Sequence, residues 1–357
     1  MKKLTILSLS IVSILVGLLV LIIKLQPNQK TDNQIVTIYN WGDYLDPALI
    51  DKFEKETGYY VRYETFDSNE SMYTKLSQGG TSYDIAIPSD YMIQKLRKKH
   101  LLKKLDYKQI KGFDNLSPET LNQPFDPHNK YSIPYFFGTL GIIYNDRLLD
   151  DVQIEHWRDL WNPKLKKQIM VFDGVREVLS IALLKDGSSI NSHSQKNLIA
   201  AGLQLEDLVP NIKGIVADEM KTYLVNEEAA VGVTFSGDAM NMMQQNKHLK
   251  YVVPSEGSNL WFDNIVIPTT VHNEKGAYAF INFMLRPENA LQNAKYIGYA
   301  TANEVAKKQL PKELQNNRSI YPTKDQFSHL KVYELLPKKI LDEYYRIFLN
   351  FKMLNNK

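Results

Sequence analysis

A short segment, residues 260–265, places an indole and a carboxylate on one face of a predicted strand. Trp261 and Asp263 are two residues apart, so both point to one side, while Phe262 points to the core. A tryptophan face attracts a cation by roughly 0.5–2 kcal/mol, and a carboxylate adds a hydrogen bond of about 1.5–3 kcal/mol. The pair suits an ammonium ion. The alternative is structural, with Trp261 in the core and Asp263 in a turn.

Further aromatic and acidic residues stand where predicted strands end. In open α/β sheets, ligands bind outside the carboxyl ends of the strands. An aromatic residue in such a turn exposes apolar surface unless something covers it. The serines and acids have a structural alternative, because they favour helix N-termini without any ligand. The candidates at strand ends are Trp41, Tyr44, Ser89, Tyr91, Asp173, Glu177 and Phe235.

Catalytic and metal-binding motifs are missing from the sequence. There is no phosphate-binding glycine loop, no metalloprotease helix motif and no Gly-x-Ser-x-Gly elbow. The seven histidines are scattered without ligand spacing. Tyr344 and Tyr345 would suit ferric iron as a phenolate pair, but their charged, helical surroundings favour half-buried packing. We therefore expect no enzyme activity, no metal and no cofactor.

These candidates depend on an alternation of strands and helices, which indicates parallel sheets covered by helices. The first helix should begin at Asp46 and Pro47 and end at Gly58. The alternation restarts later in the chain, which predicts a second α/β lobe. The predicted strands are 36–40, 60–66, 83–87, 168–172 and 229–234, and the other predicted helices are 71–78, 90–99, 175–185 and 238–245.

Two lobes also fit the length of 357 residues, which exceeds one ordinary hydrophobic core. Residues 133–145 and 258–270 are extended and would form the crossing strands of a hinge. We predict that residues 35–140 and 260–308 form the first lobe. Residues 141–259 and 309–357 would then form the second lobe.

The N-terminus combines two early lysines, Lys2 and Lys3, with an apolar run over residues 4–23. That run has about the length needed to cross a bilayer. No small-x-small cleavage pattern follows it, and there is no cysteine to lipidate. We predict that residues 1–30 are an uncleaved anchor, with a cleaved export signal as the alternative. The positive-inside rule then places the rest of the chain outside the cytoplasmic membrane.

The charge balance and the cysteine count exclude several classes of partner and chemistry. The net charge of +3 includes four lysines in residues 1–30, and the remainder carries 39 basic against 40 acidic residues. A neutral chain has no electrostatic footprint for nucleic acid. The absence of cysteine removes disulfide scaffolds and thiol chemistry.

Seven segments, in chain order, resemble the spermidine/putrescine-binding receptors of ABC importers, in particular those of Gram-positive bacteria. The similarity extends from about residue 36 to residue 345. It implies a two-lobed periplasmic-binding-protein fold of type II, in which mostly parallel sheets flanked by helices are joined by a β-type hinge. The segments are 39–44, 64–73, 83–91, 131–135, 176–178, 261–263 and 297–299.

The resemblance implies a monomeric receptor at the outer face of the cytoplasmic membrane. It would capture polyamines in an interlobe cleft and deliver them to ABC permease subunits. Glu177 matches a carboxylate that meets an amino group, and Phe235 stands where related receptors often have tryptophan. Related receptors often carry a second acid at the position of Gly174, and Asp173 is the candidate to compensate. The implied cleft residues are Trp41, Tyr44, Ser89, Tyr91, Trp261, Asp263 and Tyr299.

Two alternatives stay open. One is a receptor for a sugar or another cation, since aromatic clefts also stack on sugars. The other is an extracytoplasmic hydrolase, such as a glycosidase with two carboxylates as acid and base. Carboxylates at opposite ends of a cleft favour a diamine.

Overall fold

The computed structural model describes residues 32–149, 151–217 and 219–355. Within these ranges, ten strands form one mixed sheet with helices packed on it. The predicted anchor at residues 1–30 lies outside the described residues. Among the described helices, none is long and apolar enough to span a membrane.

The strands and main helices are numbered in chain order. The strands are β1 Ile35–Trp41, β2 Tyr60–Phe66, β3 Ile85–Ala86, β4 Ser132–Asn145, β5 Ile169–Phe172, β6 Ile212–Val216, β7 Val231–Phe235, β8 Leu249–Val252, β9 Leu260–Val266 and β10 Ala300–Thr301. The helices are α1 Pro47–Thr57, α2 Asn69–Gln78, α3 Asp90–Lys98, α4 Val175–Lys185, α5 Gln195–Leu208, α6 Glu219–Val225, α7 Ser236–Gln245, α8 Glu274–Met284, α9 Pro287–Ile297, α10 Glu304–Lys307, α11 Lys312–Gln315, α12 Lys324–His329 and α13 Lys338–Asn355.

The sheet has two parts that share the long strand β4. In the first part, β1 pairs in parallel with β2 and β3, and β9 and β10 pair antiparallel with the first half of β4. In the second part, β5 pairs in parallel with β6 and β7, while β7 and β8 are antiparallel to the second half of β4. The predicted two-part α/β fold is confirmed. The expectation of mostly parallel sheets needs a correction, because the strands that cross between the parts are antiparallel.

Helix α1 shows how local sequence positions the first candidate loop. The Asp46 side chain caps the helix by accepting from the Ala48 backbone N–H at 2.9 Å, and Gly58 ends it. Leu49 and Phe53 are buried on its inner face. The end of the β1–α1 loop at Asp46 is thereby fixed to the start of α1.

Backbone hydrogen bonds connect three segments of the chain near the boundary between the two parts of the sheet. The Leu140 N–H donates to the Asn259 carbonyl at 3.0 Å, and the Leu260 N–H donates to the Lys331 carbonyl at 2.9 Å. Part of the C-terminal range 309–357 packs on the first part of the sheet. Four residues of that range lie in the core cluster built around Phe262 of the first part, and these are Leu310, Ile320, Tyr321 and Leu330.

Candidate functional site

Asp263 of β9 lies at the centre of the predicted site and is held by hydroxyl groups. Tyr44 donates to Asp263 Oδ2 at 2.7 Å, and Ser89 donates to Asp263 Oδ1 at 2.6 Å. Burial raises the pKa of Asp263 to about 6, although both hydrogen bonds oppose the shift. Within the described ranges, Asp263 forms no hydrogen bond or ion pair with a basic side chain. A cation bound here would compensate a buried carboxylate.

Ser89 could serve either as a helix cap or as a site residue, and its hydroxyl bonds show which. It is the N-cap residue of α3, as its position predicts, but its side chain makes no cap hydrogen bond. Its hydroxyl bonds to Asp263 instead. Ser89 and Asp263 also form an isolated antiparallel bridge, so backbone pairing positions the hydroxyl.

Aromatic rings form a row beside Asp263. The ring centroids of Phe235 and Trp261 are 6.1 Å apart, those of Trp261 and Tyr299 are 5.2 Å apart, and those of Tyr299 and Tyr44 are 5.7 Å apart. All three contacts are edge-to-face, a preferred geometry for aromatic pairs. Phe235 comes from β7 and Trp261 from β9, so the row connects the two parts of the sheet.

The backbone of Tyr44 is held by a hydrogen bond from Tyr135. The Tyr135 hydroxyl donates to the Tyr44 carbonyl at 3.1 Å and accepts from Asn293 Nδ2 at 2.6 Å. Burial, followed by the negative charge of Asp263, raises the pKa of the Tyr44 phenol well above its usual value. Tyr44 therefore stays protonated and remains a donor to Asp263.

The remaining first-lobe candidates lie at the end of β1 and in the first turn of α3. Trp41 is half-buried, with its ring centroid 4.6 Å from that of Phe66. Tyr91 packs against core clusters of both parts of the sheet. Its hydroxyl donates to Glu70 Oε1 at 3.2 Å. Sequence reasoning did not select Glu70, although it stands in one of the segments that carry the family resemblance.

Glu177 stands in the first turn of α4. Burial raises the pKa of its carboxyl group, and the negative charge of Glu70 contributes in the same direction, while the neighbouring Arg176 opposes both. The Arg176 guanidinium is directed elsewhere, because it donates to Asn191 Oδ1 at 2.6 Å and to the Glu334 carbonyl at 3.1 Å. Burial is the main cause of the raised pKa in Glu177, as it is in Asp263.

Asp173 is not brought together with the other candidates. It is exposed, and both of its carboxylate oxygens accept from Lys352 Nζ, at 2.8 and 2.7 Å. A lysine of α13 therefore neutralises Asp173, the residue for which compensation of the missing acid at Gly174 was left open.

Asp90 is a second residue that sequence reasoning did not select. Its carboxylate is buried and accepts from the Tyr91 N–H at 2.6 Å and the Phe262 N–H at 3.1 Å. Burial raises its pKa to about 8. Asp90 thus ties the start of α3 to β9, the two elements that carry Ser89 and Asp263.

Tyr344 and Tyr345 occupy different environments. Tyr344 is buried and its hydroxyl donates to the Ile190 and Ser192 carbonyls, at 3.2 and 3.1 Å, whereas Tyr345 is 40% exposed. In the described part of the chain, no group of three or more His, Cys, Asp or Glu residues could hold a metal ion.

A two-part α/β fold with a shared crossing strand, and a buried carboxylate among aromatic rings, is the arrangement expected of a solute receptor. The chain matches the family of bacterial extracellular solute-binding proteins over residues 48–321. It is 40% identical over 293 residues to the spermidine/putrescine-binding periplasmic protein of Salmonella typhimurium. The aligned region covers 82% of this chain and 84% of the relative.

Solved structures agree. The spermidine/putrescine ABC transporter substrate-binding protein PotD from Streptococcus pneumoniae, in complex with calcium and HEPES, is 56% identical, with a TM-score of 0.84 and coverage of 90% of this chain and 99% of that chain. A putative spermidine/putrescine ABC transporter from Listeria monocytogenes is 51% identical, with a TM-score of 0.84 and the same coverage of 90% and 99%.

The chain belongs to the bacterial extracellular solute-binding proteins. The resemblance found in the sequence is thereby confirmed, and so is the extracytoplasmic location of the class. Its relatives are solute-binding transport proteins, not enzymes. This confirms the prediction that the chain is not an enzyme and removes the hydrolase alternative.

Proposed function

We propose that this chain captures polyamines of the spermidine and putrescine class in an interlobe cleft and presents them to the permease subunits of an ABC transporter. The observation that carries the proposal is the buried Asp263 carboxylate, which has hydroxyl partners and adjoining aromatic rings but no ion pair within the described ranges. A primary ammonium would supply the missing charge and contact the Trp261 and Tyr299 rings. The names of the relatives from Salmonella typhimurium and Streptococcus pneumoniae support the ligand class.

The second end of the ligand would be held by Glu177. Burial raises the pKa of its carboxyl group, as at Asp263, and the Arg176 charge opposes the shift without reversing it. Glu177 follows β5 in the second part of the sheet, whereas Asp263 stands on β9 in the first. A linear dication would thus bridge the two lobes, with its methylene groups beside the aromatic rings. An ammonium without such carboxylates would lose more hydration energy than ring contacts return.

Closure would follow from this bridging. Residues 35–140 and 260–308 were predicted to form one lobe, with the final return to the second lobe at residue 309. We place that return at Lys331, because it pairs with Asn259 and because the preceding segment packs on the first part. The ligand would then favour the closed state, because only that state brings both carboxylates to it.

The cellular setting is also part of the proposal. The chain would act as a monomer at the outer face of the cytoplasmic membrane, held there by residues 1–30. The charged start and apolar run of that segment support the anchor.

The test is a thermal-shift and calorimetric screen of the full chain, purified in a nonionic detergent, with putrescine, spermidine and spermine. A ligand present at 100 times its dissociation constant stabilises the folded state by about 2.7 kcal/mol. We expect a higher midpoint with at least one of these amines and none with butane-1,4-diol, which has the stem without the charges. No shift with any amine would reject the proposal.

A further inference from the structure

Gly174, between β5 and α4, has a backbone conformation that does not require glycine. It is the N-cap residue of α4 with φ −138° and ψ 128°, an extended geometry open to any residue. Glycine has no side chain, so residue 174 cannot cap the helix with a side-chain hydrogen bond. If glycine matters here, the reason must lie in what occupies the space beside it.

That space is filled by Glu177. A β-carbon on Gly174 would overlap Glu177 Oε2 and would lie 2.8 Å from Glu177 Cδ and 3.1 Å from Phe172 Cδ1. The Glu177 side chain therefore folds back over the α-carbon of residue 174. Because the overlapping atoms are the far end of a flexible side chain, a methyl group would move the carboxylate and leave the backbone in place.

The neighbours of Glu177 make its position important. Asp173 is paired with Lys352, and the Arg176 guanidinium bonds to Asn191 and to the Glu334 carbonyl. Of the two acids at the β5–α4 turn, Asp173 is thus neutralised and Glu177 is left to meet an ammonium ion. Its location sets where the second charge of a ligand must lie relative to Asp263.

We propose that Gly174 is a specificity-determining residue, which selects the spacing between the two ammonium groups of a linear amine by letting the Glu177 carboxylate lie back over residue 174. The inference rests on the proposed polyamine function and deepens it. Any side chain at position 174 displaces the carboxylate and changes the separation of the two anionic ends. Diamines that differ by one methylene group report that separation directly.

The experiment compares the full-length wild type with Gly174→Ala, using calorimetry with spermidine and a series of α,ω-diaminoalkanes from three to eight carbons. We expect the amine that binds the wild type most tightly to bind the variant about tenfold more weakly, or about 1.4 kcal/mol. The preferred chain length should shift by at least one carbon. The melting temperature without ligand should stay within a few degrees of the wild type, because the restriction of the unfolded chain by alanine opposes the loss of glycine at an N-cap.

The decisive comparison repeats the Gly174→Ala substitution in a protein that already carries Glu177→Ala. If Gly174 acts through Glu177, adding Gly174→Ala to Glu177→Ala should leave the affinities unchanged. An equal loss in both backgrounds would overturn the inference, as would an unchanged chain-length profile in Gly174→Ala alone. Wild-type protein that binds no amine would instead reject the proposed function.

A matched control uses another glycine of the same part of the molecule. A β-carbon on Gly202 in α5 would meet Ile347 Cγ2 at 3.5 Å, an ordinary contact. We expect Gly202→Ala to retain the wild-type chain-length profile. A profile altered as much as in Gly174→Ala would show that the effect is general to glycine replacement and would overturn the inference.

Discussion

The buried charge of Asp263 disfavours folding of the free protein, and in the proposed complex the same charge binds an ammonium group. Its folded pKa of about 6 lies above the usual value of 3.8 because burial disfavours the charged form. Between these values the folded state binds more protons than the unfolded state. The Asp263 contribution to stability therefore increases as the pH falls from about 6 to about 4 and is unfavourable above pH 6.

Replacing this carboxylate should separate stability from binding. We expect Asp263→Asn to raise the free energy of unfolding of the unliganded protein at pH 7.5 by about 1–2 kcal/mol, because it removes a buried charge. The Tyr44 and Ser89 hydroxyls can still bond to the amide. Polyamine affinity should fall by at least about 2 kcal/mol, since one ammonium group loses its partner. Chemical unfolding and calorimetry measure the two effects.

Asp84 provides the matched control for that variant. It is also buried, but its carboxylate accepts from the backbone N–H groups of Thr37, His272 and Asn273, at 2.7, 2.9 and 2.7 Å. Asp84→Asn should destabilise the fold and leave the affinity of the folded protein unchanged. A destabilised Asp263→Asn, or one that binds polyamine like the wild type, would contradict our assignment of Asp263.

At the level of residues, the sequence was most informative where local geometry decides. The two-residue spacing predicted that Trp261 and Asp263 share a face. In the structure the Trp261 ring packs against Tyr299, and Asp263 accepts from the Tyr44 hydroxyl. The pairing of Asp173 with Lys352 could not be predicted, because 179 residues separate the partners. It depends on where the C-terminal helix docks, which side-chain spacing does not encode.

At the level of elements, strongly patterned segments were predicted well. Helix α4 has the predicted bounds of Val175–Lys185, and strand β2 has those of Tyr60–Phe66. The strand expected at residues 83–87 is reduced to Ile85–Ala86. Helix α5 and strands β6 and β8 were not predicted, because tertiary packing overrides weak local signals there.

Lys352 of helix α13 neutralises Asp173, the residue next to Gly174. The Lys352–Asp173 pair is partly exposed, with side-chain exposures of 33% and 37%, so its contribution to stability should be below about 1 kcal/mol. We expect Lys352→Met to free the Asp173 charge and to raise polyamine affinity about two- to threefold at low salt. Methionine keeps the packing over Phe348. Calorimetry at two ionic strengths measures the change.

Lys338 provides the comparison on the same helix. Its ion pair with Asp342 is more exposed, at 90% and 59%. Lys338→Met should therefore leave the affinity unchanged. If both lysine variants alter binding equally, the effect would reflect net charge and not the neutralisation of Asp173.

At the level of the whole molecule, the two lobes meet through Tyr299 and the start of α7. A β-carbon on Gly237 would overlap Tyr299 Cδ1 and Cε1 and would lie 2.6 Å from Tyr299 Cγ. Tyr299 precedes β10 in the first part of the sheet, and Gly237 follows β7 in the second. The close approach of a ring to this backbone therefore couples the relative position of the lobes to the aromatic row of the site.

Gly237→Ala should consequently disfavour the closed state, because the ring or the helix must move before the lobes can approach. Apparent affinity falls in proportion to the population of the binding-competent state, so tenfold less closed protein binds about tenfold more weakly. We expect the variant to need more polyamine for saturation, and small-angle scattering to show incomplete compaction at concentrations that saturate the wild type. A β-carbon on Gly42, in the β1–α1 loop, would meet nothing within 4 Å, so Gly42→Ala should behave like the wild type. Normal affinity and compaction in Gly237→Ala would show that this contact does not control closure.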